Sequence, residues 1–211
     1  MNGNIIIIDG ISNSGKTSFC EYLSKKGYIL IEEVPLFIKN NRDKYDMLPS
    51  TIPKSIDEEK NNQQILLNAE YGRLFQAEKL ALNGKNVVMD RSFFSTVSMA
   101  YALEKDTPFK GAYENAKKLA KDYLLALQKI LKRIDVSFVV FDVDKKTLLD
   151  RNLKREKPLN LEWIEEHFLD KQRISFNAFM NALNGRIINT SSLSFDEICI
   201  IIGCNNNLKK I

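Results

Sequence analysis

The stretch NIIIIDGISNSGKT, residues 4–17, joins an apolar run to a glycine-rich turn. Its four consecutive isoleucines, residues 5–8, are typical of a strand buried on both faces of a parallel sheet. The turn from Gly10 to Thr17 matches the pattern G-x-x-x-x-G-K-[ST] at every fixed position. A helix is predicted over residues 16–26, ending at Gly27, which suits a left-handed C-terminal position. Strand, turn and helix in this order predict an α/β fold with an anion-binding loop after its first strand.

The chemistry of this turn predicts a site for a nucleoside triphosphate. Gly10 and Gly15 let the backbone curl so that successive amide N–H groups face phosphate oxygens at the positive end of the helix. Lys16 would reach the β- and γ-phosphates and act in catalysis, while the Thr17 hydroxyl would bind magnesium. We therefore expect ATP and Mg²⁺ as cofactors. The predicted loop residues that bind ATP are Gly10, Ser12, Asn13, Ser14, Gly15, Lys16, Thr17 and Ser18.

Strands and helices alternate along the rest of the chain. Further strands are predicted over residues 28–33, 86–90, 136–143 and 186–190. Residues 35–54, with Pro49 and Pro53, are predicted to be irregular. Ser55 with Glu58, and Ser194 with Glu197, form predicted capping boxes. The other helices are predicted over residues 55–83, 93–103, 112–133, 145–155 and 161–183, with a last one after Ser194.

This alternation predicts a P-loop NTPase-type α/β fold in one domain, residues 1–211. The sheet would be open, parallel and five-stranded, with helices on both faces and a small helical lid. Ligands of such sheets bind beyond the carboxyl ends of the strands. We expect residues 35–85 to bind the acceptor and residues 144–160 to form the lid.

Composition narrows the class of protein further. The net charge is only +4 and no run is dense in lysine and arginine, so nucleic acid is not an expected partner. No apolar stretch is long enough to cross a membrane. Cys20, Cys199 and Cys204 lack the spacing of a zinc site or a redox pair, which favours a cytoplasmic protein with reduced thiols. The sequence leaves open whether the chain forms a homodimer.

Acidic residues end several of the predicted strands, among them Asp9, Glu33, Asp90 and Asp142. Asp90 could hold the magnesium shell or accept a proton from an acceptor hydroxyl. Its neighbour Arg91 could bind a phosphate in a bidentate manner, although a surface acid–base pair would also explain both residues.

Glu32 and Glu33 end the second strand together, and side chains alternate along a strand, so only one of them can face the site. We favour Glu33 as general base for a hydroxyl acceptor. Two solvated acids are the alternative.

Basic residues after the fourth strand suggest a lid. Arg151 and Arg155 are four residues apart and share one helix face, from which they could neutralise the transferring γ-phosphate. A solvated basic helix is the alternative.

Candidate acceptor-binding residues lie on the long second helix. There Arg73 and Gln76 are predicted to contact the acceptor, near Tyr71 and Phe75, although helical aromatics usually belong to a core. Trp163 is expected to pack in the core.

With these residues placed, the chain resembles the thymidylate kinase and deoxynucleoside kinase group of P-loop kinases. Residues 90–95, DRSFFS, are similar to the D-R-Y-x-x-S stretch of thymidylate kinases and to the E-R-S stretch of deoxynucleoside kinases. The resemblance implies that Asp90 and Arg91 contact magnesium, acceptor or phosphate, and that Thr190 lies in a loop beside adenine. Ser92 replaces the tyrosine of thymidylate kinases, and Val34 separates Glu33 from the proline that deoxynucleoside kinases place next to the acid.

The predicted function is transfer of the γ-phosphate of ATP to a nucleoside or a nucleoside monophosphate. A nucleoside would depend on Glu33, and a monophosphate on Arg73 and Arg91. The alternatives are a kinase of another small molecule, such as an antibiotic or a sugar-type acceptor, and a nucleotide-binding protein that has lost catalysis. A GTPase is disfavoured because the D-x-x-G and N-K-x-D motifs are missing.

Overall fold

Five parallel strands form the centre of this computed structural model, which describes residues 2–45, 47–50, 53–104, 109–159 and 161–204. Residues 46, 51 and 52 of the predicted acceptor-binding region and residue 160 of the predicted lid lie outside that description. The strands are β1 Asn4–Gly10, β2 Ile29–Ile31, β3 Val87–Asp90, β4 Asp135–Asp142 and β5 Arg186–Asn189. Their spatial order is β2-β3-β1-β4-β5, and every pairing is parallel. The predicted five-stranded parallel sheet is therefore confirmed.

Helices cover both faces of this sheet. They are α1 Lys16–Lys25, α2 Val34–Asn40, α3 Ile56–Leu82, α4 Phe93–Leu103, α5 Ala112–Leu131, α6 Lys145–Leu153, α7 Glu166–Leu183 and α8 Phe195–Ile202. Because side chains alternate along β1, Ile5 and Ile7 join a core that includes residues of α3, α4, α5 and α7, whereas Ile6 and Ile8 join one that includes residues of α1 and α8. None of the helices in the described residues has the length and hydrophobicity that a bilayer-spanning helix needs.

The structure departs from the predicted elements after the second strand. Residues 35–40, predicted to be irregular, belong to α2 instead. Pro35 lies in the first turn of this helix, where its missing N–H leaves no hydrogen bond unmade. Val34, Phe37 and Ile38 are buried at helical spacing, so packing holds this short helix against the core.

Two other predictions are corrected. Residues 161–183 form a 3₁₀ turn, Leu161–Ile164, followed by α7, rather than one helix. At the start of α3, only one of the two hydrogen bonds of the predicted capping box forms. The Ser55 hydroxyl accepts the Glu58 N–H, but the Glu58 carboxylate accepts the N–H of Lys54 instead of that of Ser55. The box of Ser194 and Glu197 at α8 is complete.

Candidate active site

The turn between β1 and α1 has the backbone of an anion cradle. Gly10 and Gly15 have φ angles of 136° and 93°, and Asn13 is also left-handed at 57°. A Cβ at Gly10 would lie 2.0 Å from the carbonyl oxygen of Phe141, so close packing of β1 against β4 also requires glycine there. Within the described part of the chain, the backbone N–H groups of residues 12–15 donate no hydrogen bond. They are free to bind an anion.

Lys16 lies folded across this loop. Its Nζ donates to the backbone carbonyl of Ile11 at 2.5 Å and to Ser14 Oγ at 3.3 Å. Burial, followed by repulsion from Arg91, lowers the pKa of Lys16 to about 7. The charges of Asp90, Asp9 and Glu33 oppose this shift only in part, so a triphosphate would add a counter-charge to this ammonium group.

Thr17 and Asp90 together fit a magnesium ion. The Thr17 hydroxyl donates to Asp90 Oδ2 at 2.7 Å, and Asp90 Oδ1 is buried with no hydrogen-bond partner in the part of the chain that the structure describes. The described residues contain no cluster of three or more side chains suited to hold a metal by themselves. Since Mg²⁺ usually binds through one or two protein ligands plus phosphate oxygens and water, this sparse pair suits it.

Arg91 and Glu33 meet at the carboxyl edge of the sheet. Arg91 Nε donates to Glu33 Oε2 at 3.2 Å, and Arg91 Nη1 donates to Ser95 Oγ at 3.4 Å. Glu32 points away and accepts a hydrogen bond from Asn40 at 2.5 Å on the surface. Of the two adjacent acids, Glu33 is therefore the one that faces the site.

Asp9 is a site residue that sequence reasoning noticed only as a strand-end acid. Its buried carboxylate accepts hydrogen bonds from the Ser92 N–H at 3.1 Å, from the Ser92 hydroxyl, and from the Ser95 hydroxyl at 2.5 Å. Burial raises the pKa of Asp9, and these hydrogen bonds oppose that rise. Asp9 thereby ties β1 to the start of α4, next to Arg91.

The predicted lid arginines contact the phosphate-binding loop. Arg151 Nη1 donates to the backbone carbonyl of Asn13 at 3.1 Å, and Arg155 Nη1 donates to Asn13 Oδ1 at 2.8 Å. The Thr190 hydroxyl donates to the Ser14 carbonyl at 2.7 Å, and Arg151 Nη2 donates to the Thr190 carbonyl at 3.0 Å. Both arginines and Thr190 thus lie beside the loop.

Two cavities meet at Arg91. The first, the donor cleft, has a volume of about 360 Å³ and holds the loop, the lid arginines and Thr190. Its remaining walls are Phe141, Leu193, Phe195 and Ile198. The second, the acceptor pocket, has a volume of about 560 Å³ and lies between α3, α4 and α7. Its polar and aromatic walls include Glu33, Glu59, Asn62, Glu70, Arg91, Trp163, Gln172 and Phe176.

Two predicted acceptor ligands are corrected. Arg73 is fully buried and donates to Glu70 Oε1 and to the carbonyl of Asp90, both at 2.6 Å, so it lies beneath the pocket wall. Gln76 is exposed, because six residues along a helix from Glu70 turn a side chain about 120° away from the pocket. Trp163, expected only to pack, lines the pocket.

Comparison with solved structures identifies the fold. A thymidylate kinase from Candida albicans superposes with a TM-score of 0.63 at 19% identity, covering 99% of this chain and 94% of its own. A deoxyadenosine kinase from M. mycoides with bound dATP gives 0.64 at 19% identity, covering 97% and 100%. The same enzyme with dCMP and dCDP gives 0.62 at 18%, covering 96% and 98%.

No protein-family model matches the sequence, and no curated protein matches it by sequence. The likeness is therefore one of fold. This chain has the P-loop kinase fold of thymidylate and deoxynucleoside kinases, as the sequence resemblance predicts.

Proposed function

We propose that this chain transfers the γ-phosphate of ATP to a nucleoside or a nucleoside monophosphate. The observation that supports this most directly is the junction of two cavities at Arg91, one beside the phosphate-binding loop and one beside Glu33. A donor in the first cavity and an acceptor in the second would place both reacting groups at one point. The neighbours of similar fold are kinases of a nucleoside and of a nucleotide, which supports the same class of acceptor.

With a nucleoside as acceptor, its hydroxyl oxygen attacks the γ-phosphorus in line with the leaving oxygen; with a monophosphate, a phosphate oxygen attacks in the same way and there is no hydroxyl proton to remove. Glu33 accepts the hydroxyl proton. The bond between the γ-phosphorus and the β–γ bridging oxygen breaks, and ADP leaves with that oxygen and its electron pair. Lys16, Arg151 and Arg155 offset the negative charge on the transferring group.

Magnesium enters this proposal through Thr17 and Asp90. When bound, Mg²⁺ would supply positive charge that offsets the charge of the triphosphate. The Thr17 hydroxyl would bind it directly, and Asp90 would hold its water shell through Oδ1, which has no partner among the described residues. The Thr17 hydroxyl could keep its hydrogen bond to Asp90 Oδ2 while binding the ion, because a hydroxyl has one donor hydrogen and two acceptor lone pairs.

The test is ADP release from ATP, measured against a panel of nucleosides and their monophosphates. We expect release to depend on the acceptor and Lys16→Ala to lower kcat by about 10²-fold or more, because it removes a charge aimed at the transition state. Lys25→Ala is the matched control, since Lys25 lies exposed at the far end of α1. Acceptor-independent release, or full turnover in Lys16→Ala, would contradict the proposal.

A further inference from the structure

We propose that the acceptor is an unphosphorylated nucleoside and that the side-chain amide of Gln172 binds its base. This inference rests on the proposed phosphotransfer and narrows its substrate. It follows from the charge of the acceptor pocket and from one buried amide in its wall.

The acceptor pocket has more carboxylates than cations. Among the described lining residues, Glu33, Glu59 and Glu70 are acidic and Arg91 is the one cation. Burial raises the pKa of Glu70 to about 7, so this group is partly protonated at neutral pH, yet the remaining acids still outweigh Arg91. A phosphate monoester brings up to two negative charges and is normally bound by several cationic or N–H donors. This pocket favours an acceptor without a phosphate.

The nearby arginines already have carboxylate partners. Arg91 is paired with Glu33 at 3.2 Å, and Arg73 with Glu70 at 2.6 Å. Arg73 is also fully buried, so it cannot reach a ligand without rearrangement of α3. The pair of Arg91 and Glu33 instead suits a neutral hydroxyl, because the arginine orients the carboxylate that would accept its proton.

Gln172, on α7, is a buried polar group with unused hydrogen-bonding capacity. It is 5% exposed, and among the described residues its amide makes one hydrogen-bond contact, 3.9 Å from nitrogen to the sulfur of Met99. A thioether is a weak acceptor, so the amide keeps a donor and an acceptor for a ligand. Asn62 offers no such capacity, since its amide donates to and accepts from the backbone of Ser50.

The surroundings of Gln172 suit a flat heterocycle. Leu66, Met99, Trp163 and Phe176 line the same pocket and supply apolar surface for its faces. A side-chain amide presents its N–H and C=O side by side, as the edge of a nucleobase does. Gln172 and Glu33 line the same pocket, so one ligand could place a base at the amide and a sugar hydroxyl at the carboxylate.

The first experiment compares each nucleoside with its own 5′-monophosphate as acceptor, measuring ADP release. We expect kcat/KM to be higher for the nucleoside by about 10²-fold, because the nearby arginines already have carboxylate partners and are not free to bind the phosphate of a monophosphate. A preference for the monophosphate would overturn the inference and leave the proposed kinase function standing. Failure of every acceptor would overturn the proposed function itself.

The second experiment replaces the amide. Gln172→Leu keeps the size of the side chain and removes its hydrogen bonds, so the KM for the nucleoside should rise about tenfold or more while the KM for ATP stays unchanged. Gln64→Leu is the matched control, since Gln64 lies exposed on α3, outside the acceptor pocket, and donates a hydrogen bond to Asn68 on the same helix. An unchanged nucleoside KM in Gln172→Leu would reject the role of Gln172. If Gln172→Leu fails to fold, Gln172→Glu can replace it, because the carboxylate keeps an acceptor and loses the N–H donor. We expect Gln172→Glu to change the order of preference among nucleosides with different bases. An unchanged order of preference would also reject the role of Gln172.

Discussion

Arg91 has a backbone conformation that its side-chain type seldom adopts. Its φ is 69°, in the left-handed region, and its N–H donates to the carbonyl of Ile8 at 2.9 Å. A non-glycine residue keeps this strained conformation only when the surrounding structure holds it in place, and such residues are frequent at functional sites. Here the conformation places the guanidinium at the boundary of the donor cleft and the acceptor pocket, in contact with Glu33. The strained backbone therefore belongs to Arg91, the residue that lines both cavities of the proposed reaction.

Glu70 should make the stability of the protein depend on pH. Its folded pKa of about 7 lies above its ordinary value of 4.5, so the native state binds more protons than the unfolded state between these values. Its contribution to stability is full below pH 4.5 and is lost as the pH rises through 7. At about 1.4 kcal/mol per pH unit, Glu70→Gln should gain about 3 kcal/mol of stability relative to wild type from pH 4.5 to 7.5. Urea unfolding at both pH values measures this, and a constant difference between the two proteins would contradict it.

Among the secondary-structure elements, the start of α4 is held in position by a single carboxylate of β1. Asp9 accepts three hydrogen bonds from Ser92 and Ser95, and Ser92 is also the N-cap of α4, accepting the Phe94 N–H. Because α4 supplies one wall of the acceptor pocket and follows Arg91 directly, this junction sets the position of both. The strand, the cap and the site are thus one hydrogen-bonded unit.

Replacing this carboxylate should loosen the unit. Asp9→Ala leaves buried donors without an acceptor, so we expect it to lower the free energy of unfolding by about 2 kcal/mol and to raise the KM for the acceptor. Denaturant unfolding and steady-state kinetics measure the two effects. Asp135→Ala, at the exposed start of β4, is the control and should change neither. Wild-type stability in Asp9→Ala would show that the hydrogen bonds of Asp9 contribute little.

In the molecule as a whole, the donor cleft assembles distant parts of the chain. The loop after β1, the end of β3, α6 and the end of β5 meet there because parallel strands direct their carboxyl ends to one edge of the sheet. Ligand binding in that cleft should therefore stabilise the entire fold rather than one segment.

Magnesium removal tests this coupling. ATP with Mg²⁺ should raise Tm more than ATP with EDTA, and each tenfold gain in affinity should add about 1.4 kcal/mol of stability at saturating ligand. Thr17→Val should lose most of the increase in Tm that depends on Mg²⁺. Ser24→Ala should retain that increase, because Ser24 is exposed on the outer face of α1. Differential scanning calorimetry at fixed ATP concentration measures all three proteins. Equal Tm values with and without Mg²⁺ in the wild type would argue against a metal held by Thr17 and Asp90.

The amino-acid sequence alone determined the features that depend on neighbouring residues. The isoleucine run predicts β1, the glycine spacing predicts the anion cradle, and the alternation of elements predicts the parallel sheet, because backbone preference and periodicity are local properties. Local patterns did not predict α2, because a proline such as Pro35 is compatible both with irregular chain after a strand and with the first turn of a helix.

Only the tertiary structure decided which side chains meet. Glu33 faces Arg91 across 58 residues of sequence, Asp9 binds Ser92 across 83, and Arg73 and Gln76 turn out to miss the acceptor pocket. Helical periodicity tells which residues share a face, but the packing of α3, α4 and α7 against the sheet determines where that face points. For this reason Gln172 could not be recognised from its neighbours in sequence: its position in the pocket depends on elements that fold together over long range.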